Sequence, residues 1–428
     1  MTKSISRTEF EGVTCPLCGL GCDDLRVSLD NGALEVVDAG CDISQRGFQQ
    51  ASCGDPPPPQ IDGRGVNLDQ AIDRAADILR AASLPLIAGL GTDVSGARAV
   101  MALAERAHAV VDHMLSPGLF RNAQVLQDSG WLTASLTEAR NRADLVVIVG
   151  DRVFKLFPRL LERIIRPKAC LLRSDAGNTR ELVLIGPWEP STLPPELVYW
   201  RPTIVPVALP VIGHVIACLQ ALIAERPVQK SAVESVDINT LHNLARRMQQ
   251  ASYSIVAWAA GELDFPHAEL TVQGLVDLVR DLNLTTRSAA LPLGGAQGDV
   301  TMNQVCLWRS GRPLRTAFSR GRPQHDPVMF DYRRLLAQGD ADALLWLSSF
   351  LPNTPPPDTT VPTIVLGHPG MALVQTPAVY IPIGVPGVDH AGHIYRSDAV
   401  VTLPLRQLRQ SSSLPAAAEV LQTIVARL

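Results

Sequence analysis

Four of the eight cysteines fall within the first 41 residues. Cys15, Cys18 and Cys22 stand in a Cys-x-x-Cys-x-x-x-Cys run, and Cys41 follows after a longer interval. Thiolates this close can converge on one metal, because Gly19 and Gly21 let the loop curl without Cβ clashes. Four such ligands suit a [4Fe–4S] cluster, or a tetrahedral zinc ion. The plain alternative is a set of packing thiols without metal. Cys53 is a less favoured fourth ligand than Cys41. In a cytoplasmic chain such a cluster binds metal more often than it forms disulfides. Cys170, Cys218 and Cys306 stand alone in apolar surroundings and read as core thiols.

Other residue types suggest anion binding. Gly89-Leu90-Gly91-Thr92-Asp93 leads from an apolar run into a helical pattern, a place where a helix N-terminus can take phosphate. It lacks the full Gly-x-Gly-x-x-Gly spacing, so a structural turn competes with that reading. Gly150-Asp151 closes another apolar run, where doubly wound sheets bind ligands. Otherwise Asp151 is a loop acid. Arg309, Arg312, Arg315, Arg320 and Arg322 form a basic stretch interleaved with glycine, suited to phosphate or carboxylate groups, or equally to a solvated or interface rim. Asp389, His390 and His393 have the types of a metal pair without an argument for a metal. Arg396 and Asp398 read as an internal ion pair. No Ser-His-Asp spacing stands out.

The elements that must hold these groups alternate between strand and helix. Residues 24–37 alternate polar and apolar with period two around Asn31-Gly32, a two-residue hairpin turn. Pro56 to Pro59 form a stiff connector. Asn67 is an N-cap for a helix whose face carries Leu68, Ala71, Ile72, Ala75, Ile78 and Leu79. A buried strand is predicted at residues 85–91, then a helix at 95–108 and a strand at 109–112. Further strands are predicted at 144–149 and 169–172, with a helix at 158–165 between them. A proline-rich stretch at 187–206 interrupts the alternation. A second series follows: helices at 211–225 and 267–282, strands at 253–259, 343–347, 363–366 and 379–382, and a closing helix at 415–428. This is the pattern of parallel strands with crossover helices. It predicts an α/β chain with a small N-terminal cysteine-bearing β cap (1–60), two Rossmann-like α/β lobes (61–210 and 211–390) and a C-terminal segment (391–428) packing back on them.

Composition sets the class. The chain has 428 residues, 46% hydrophobic and 19% charged, with 33 prolines and 31 glycines. That is a globular chain of many short elements. Its formal charge of −4 gives no general attraction to nucleic acid or anionic lipid. No apolar stretch is long enough for a membrane span, and the first residues carry no apolar signal core, so a cytoplasmic location is expected. A mean hydropathy of +0.12 fits buried subunit interfaces.

The run Thr14 to Asp24, with its three cysteines, resembles the opening of the B subunit of formylmethanofuran dehydrogenase, within the molybdopterin oxidoreductase superfamily. The likeness continues at Asn141-Arg142-Ala143-Asp144-Leu145-Val146-Val147 and Phe157-Pro158-Arg159. It returns at Pro292-Leu293-Gly294-Gly295, at Phe318 to Pro323, at Gly339 to Leu344 and at Gly392 to Asp398, in the family's order along essentially the whole chain. The resemblance implies a [4Fe–4S] cap on Cys15, Cys18, Cys22 and Cys41. It implies α/β lobes, without the C-terminal barrel domain, gripping a molybdenum or tungsten pterin guanine dinucleotide. Gly89, Gly91, Asp151 and Arg320 are then candidates to touch that cofactor. On this reading alone the chain is a redox-active dehydrogenase subunit.

One departure argues otherwise. The dehydrogenases place a metal-ligating cysteine or selenocysteine ahead of the Asn-Arg-Ala-Asp segment. The corresponding stretch here is Asp112-His113-Met114-Leu115-Ser116-Pro117-Gly118-Leu119-Phe120, and no cysteine occurs between Cys53 and Cys170. Neither a thioether nor a serine hydroxyl equals a thiolate as a soft ligand. His113 reads as a structural donor. The molybdenum or tungsten pterin is therefore expected to be absent, with the site degenerate. The pattern looks like the B subunit of the formyltransferase/hydrolase complex of methylotrophic bacteria. That implies a non-catalytic scaffold alongside amidohydrolase-like A, C and formyltransferase-like D subunits, serving a methanofuran-like carrier in the conversion of formaldehyde to formate.

Overall fold

Asn31 and Gly32 turn the chain with φ of 50° and 85°, the left-handed pair that a type I′ turn needs. Around them β1 (Thr8–Val13), β2 (Leu25–Asp30) and β3 (Ala33–Asp38) form an antiparallel sheet in the order β1-β2-β3. Cys41 then caps helix α1 (Asp42–Gln50). This is a computed structural model that describes residues 7–51, 55–172, 180–189, 191, 193–319 and 321–428. Cys53 and Arg320 lie outside the described residues.

The chain forms two compact units, Met1–Ser116 with Gly295–Leu428, and Pro117–Gly294. The borders therefore fall at 116/117 and 294/295, whereas the sequence suggested 60, 210 and 390. Strand pairing is the reason: the first and last parts of the chain share one sheet. In unit one the chain runs through β4 (Gln60–Ile61), β5 (Arg64–Gly65), helix α2 (Leu68–Ala81), β6 (Pro85–Gly91), helix α3 (Val94–Ala107) and β7 (Val110–Val111). It resumes with helix Asp299–Ser310, β15 (Thr316–Ala317), β16 (Gln324–His325), β17 (Ala343–Ser348), β18 (Thr363–Gly367), β19 (Val379–Pro382), the hairpin β20 (Gly392–Tyr395) and β21 (Thr402–Leu405), and helix Ala417–Arg427. The nine-stranded sheet has the order β16-β15-β7-β6-β17-β18-β19-β4-β5. Its middle five strands are parallel. Every residue of β6, β17, β18 and β19 is buried, as expected of parallel strands covered on both faces. The predicted cap on α2 forms: Asn67 accepts the Gln70 N–H at 2.9 Å and Gln70 answers at the Asn67 N–H.

Unit two holds β8 (Leu145–Val149), β9 (Glu181–Gly186), β10 (Thr203–Pro206), the small pair β11 (Ala232–Val233) and β12 (Val236–Asp237), β13 (Ser254–Ala259) and β14 (Ser288–Leu293). Its sheet is parallel throughout, in the order β10-β9-β8-β13-β14. Helices Ile212–Ile223, Ile238–Gln250 and Ala268–Leu282 supply much of the core around Trp258. Two expectations fail here. Residues 169–172 form no strand: Leu171 and Leu172 are 86% and 64% exposed, and the Cys170 thiol donates to the Arg140 carbonyl. The strand next to β8 is β9, and its neighbour β10 comes from the proline-rich stretch. Proline is tolerated there because β10 is an edge strand. The helix expected at 158–165 is reduced to Val153–Leu156 and a π-helical turn, Leu161–Ile165. Among the described residues both large sheets are open and no helix is long and apolar enough to cross a membrane.

Candidate functional site

In unit one the strand order reverses between β6 and β17. Open α/β sheets bind ligands beyond the carboxyl ends of such a pair. Gly89, near the end of β6, has φ +78°, and a Cβ there would lie 2.7 Å from the Leu347 carbonyl oxygen. Leu90 follows with φ +66°, and the β6–β17 register shifts between Trp346 and Ser348. A Cβ on Gly91 would meet Ser348 Oγ at 3.2 Å and Met114 Cε at 3.3 Å. The glycines thus let the two strands and Met114 approach closely. The helix N-terminus beyond them is closed by the chain itself. Asp93 caps α3, its carboxylate accepting the N–H groups of Ser95 at 3.3 Å and Gly96 at 3.0 Å.

The stretch in place of the soft-metal ligand follows β7. Asp112 is fully buried and accepts the N–H groups of His113 and Tyr332, both at 2.9 Å. Arg315 pairs with it at 3.5 Å and also with Asp331. Burial pushes the Asp112 carboxyl up to about 7, against the pull of Arg315. His113 Nδ1 accepts the Leu115 N–H at 3.0 Å, so Nε2 carries the proton and donates to the Gln297 carbonyl at 3.1 Å. Burial lowers His113 to about 4 and keeps the ring neutral. Both ring nitrogens are committed, which leaves no lone pair for a metal. Met114 packs against Gly91, and Ser116 Oγ accepts from Arg315 at 3.1 Å.

The cysteine loop belongs to the same unit. Cys15, Cys18 and Cys22 are buried and Cys41 is half-buried, and none of the four is in a disulfide among the described residues. The Cys15 N–H donates to the Cys22 carbonyl at 2.8 Å, and the Gly19 carbonyl accepts the Ser397 N–H at 2.7 Å. Gly295, with φ +99°, lies so close that a Cβ would sit 2.6 Å from Gly19 Cα. Backbone contacts therefore fix the loop. Burial, then the neighbouring Cys18, Cys22 and Cys41, push the Cys15 thiol well above the usual range. The donor chemistry suits a soft metal. In this conformation, among the described residues, no three His, Cys, Asp or Glu side chains form a group able to hold a metal ion.

In unit two the reversal lies between β8 and β13. Gly150 ends β8 with φ +101°, and its carbonyl accepts the Trp188 indole N–H at 2.9 Å. Glu262, just beyond β13, fills the space above it. A Cβ on Gly150 would lie 2.5 Å from Glu262 Oε2. Glu262 Oε1 accepts the backbone N–H groups of Asp151 at 2.6 Å and Arg152 at 2.8 Å. Oε2 is buried with no hydrogen-bond partner among the described residues. Burial pushes Glu262 up to about 7. The sequence singled out Asp151 and missed Glu262. The same signal, an acid after a glycine at the end of an apolar strand, is present in Ala259-Ala260-Gly261-Glu262.

Among the described residues, the arginines of the basic stretch do not converge. Arg309 pairs with Glu105 at 3.5 Å, Arg312 and Arg322 are exposed, and Arg315 turns inward to Asp112 and Asp331. Asp389 pairs with Arg409 and accepts the Val385 N–H, His390 Nδ1 bonds the Ala391 carbonyl, and His393 is exposed. Arg396 and Asp398 form the expected ion pair at 2.5 Å. Cys218 and Cys306 are buried core thiols, and Cys306 is pushed up to about 12 by burial.

No protein-family model matches the chain. The B subunit of the formyltransferase/hydrolase complex of Methylorubrum extorquens is 29% identical over 337 residues, covering 78% of this chain and 87% of that protein. The B subunit of a tungsten-containing formylmethanofuran dehydrogenase of Methanocaldococcus jannaschii is 25% identical over 405 residues, covering 91% of each. Among solved structures, the Methylorubrum extorquens formyltransferase/hydrolase complex with methylofuran matches with a TM-score of 0.74 and 28% identity, over 86% of this chain and 98% of that one. Acetylene hydratase from Pelobacter acetylenicus matches at a TM-score of 0.63 and 10% identity, over 98% of this chain and 69% of that one, a likeness of fold.

Proposed function

Because this chain is similar to formylmethanofuran dehydrogenase B subunits and to the B subunit of the formyltransferase/hydrolase complex, we propose that it is the B subunit of such a complex. Its role is that of a scaffold with a degenerate pterin site, and it carries no catalysis itself. The observation that carries this is the filling of the soft-ligand position after β7. Asp112 is locked to Arg315, His113 has both nitrogens engaged, and Met114 packs on Gly91. A molybdenum or tungsten pterin would find no thiolate there. The partners are then amidohydrolase-like A, C and formyltransferase-like D subunits, with a methanofuran-like carrier that moves the formyl group on its way to formate. The finer fold reading, a molybdopterin-type cysteine cap on two Rossmann-like lobes, belongs with this assignment and is supported by the three-stranded sheet, the parallel centre of the nine-stranded sheet and the parallel five-stranded sheet.

The test is purification of the chain with its partners, followed by metal and pterin analysis. Co-purification with A, C and D subunits, and molybdenum and tungsten far below one per chain, are the expected result. A stoichiometric amount of either metal would overturn the scaffold role in favour of a redox-active dehydrogenase subunit. We further propose that Cys15, Cys18, Cys22 and Cys41 take a thiolate-bound metal, an iron–sulfur cluster in preference to zinc. The spacing of the four thiols along the chain and the burial of Cys15, Cys18 and Cys22 support this. Iron with acid-labile sulfide, lost together in Cys18→Ser, is the expected outcome; a purified complex with neither iron nor zinc would overturn it.

A further inference from the structure

The turn that ends β8 is built as an anion cradle: Gly150 sits in the left-handed region and the next two N–H groups, of Asp151 and Arg152, point to one acceptor. At the reversal point of an open α/β sheet, successive backbone N–H groups of this kind receive the phosphate of a nucleotide-type ligand. Here the acceptor is Glu262 Oε1. The side chain reaches the cradle from the end of the neighbouring strand, is only 5% exposed, and lies so close to Gly150 that no side chain fits there. Gly150 is thus explained by an internal carboxylate. Its second oxygen is buried, with no hydrogen-bond donor among the described residues to meet it.

We propose that the Glu262 carboxyl group takes the place of a ligand phosphate at the carboxyl end of β8, so that this crevice excludes nucleotide diphosphates. The inference rests on the reading of the pterin site as degenerate and names the residue that closes it in unit two. A diphosphate would have to displace the carboxyl group from two short N–H contacts and then lie against its buried oxygens, where any charge repulsion is weakly screened. Asp93 stands in the same relation to the start of α3 in unit one.

Two probes test it on the full chain in its complex, inorganic pyrophosphate and GDP, each followed by calorimetric titration. The wild type is expected to bind neither. Glu262→Ala frees the two N–H groups and removes the carboxyl group, and should bind pyrophosphate or GDP at least about tenfold more tightly than wild type. Saturable binding of either probe to the wild type, or no gain in a folded Glu262→Ala, overturns the proposal. A Glu262→Ala protein that fails to fold leaves amide hydrogen exchange of the wild type to decide. Slow exchange at Asp151 and Arg152 supports the occupied cradle, and exchange at unprotected rates overturns it. Pterin content is a separate measurement: pterin in the purified complex would defeat the scaffold role, whereas failure of the Glu262 tests would not.

Discussion

At the scale of single residues, the chain spends charge on internal contacts. Arg315 is 7% exposed and holds Asp112 and Asp331 at once. Removing one partner of a buried pair leaves an uncompensated charge, so Arg315→Met should cost about 3–5 kcal/mol in urea denaturation. Adding Asp112→Asn should recover part of that loss, because the orphaned carboxylate goes with it. A double variant no more stable than Arg315→Met would show that the Arg315–Asp112 pair itself contributes nothing to stability. Cys15, Cys18 and Cys22 were singled out from the sequence because they are neighbours along the chain. Glu262 was not. Its partners are backbone N–H groups more than a hundred positions away, and a backbone donor leaves no trace in residue types. His113 was read as structural, which its two hydrogen bonds bear out.

At the scale of elements, β6 and β17 were legible because strands buried on both faces read as unbroken apolar runs. Helix Ile238–Gln250 carries a helical stripe of Leu241, Leu244, Ala245 and Met248 that went unread. β9 lies in a run where the apolar strand at 181–186 follows a similar run at 169–172; tertiary pairing, not propensity, selects between them. The left-handed glycines offer a graded test of local strain. Gly89→Ala places a methyl against the Leu347 carbonyl and the Trp346 ring in a left-handed backbone. We expect a loss of about 2 kcal/mol or more in thermal or chemical unfolding. Gly32→Ala, at the hairpin turn with nothing within 4 Å of the new methyl, should lose about 1 kcal/mol from backbone conformation alone. Equal losses would mean that close packing at β6 and β17 contributes nothing.

At the scale of the whole molecule, buried and half-buried groups set the pH profile. His113 and His368 are lowered to about 4 by burial. Their neutral rings contribute stability that is full above about 6.5 and fades as pH falls toward 4. Asp112, Glu262 and Asp299 are raised to about 7. Their contribution is full near pH 4 and is lost as pH rises through 7. The half-buried His325 is lowered as well, so three histidines oppose three acids up to about pH 6.5, and above it only the acids act. Stability should therefore change little from about pH 4.5 to 6.5, fall to about 7, and then level off. Urea midpoints measured across this range check the shape, and Glu262→Gln should make the decline shallower by about one proton's worth. A rising profile between pH 6.5 and 7 would contradict it.

The pairing of β17 with β6 also dictates an order of events on the ribosome. Every strand of the sheet in Pro117–Gly294 has been made once Leu293 emerges, so that sheet can be completed while the rest of the chain is still being translated. β6, synthesised long before, has β7 along one edge and must wait for residues 343–348 to cover the other. Throughout that delay an apolar strand offers an open edge to any passing polypeptide. Slow elongation or stalling between these points is where the nascent chain is most exposed to aggregation.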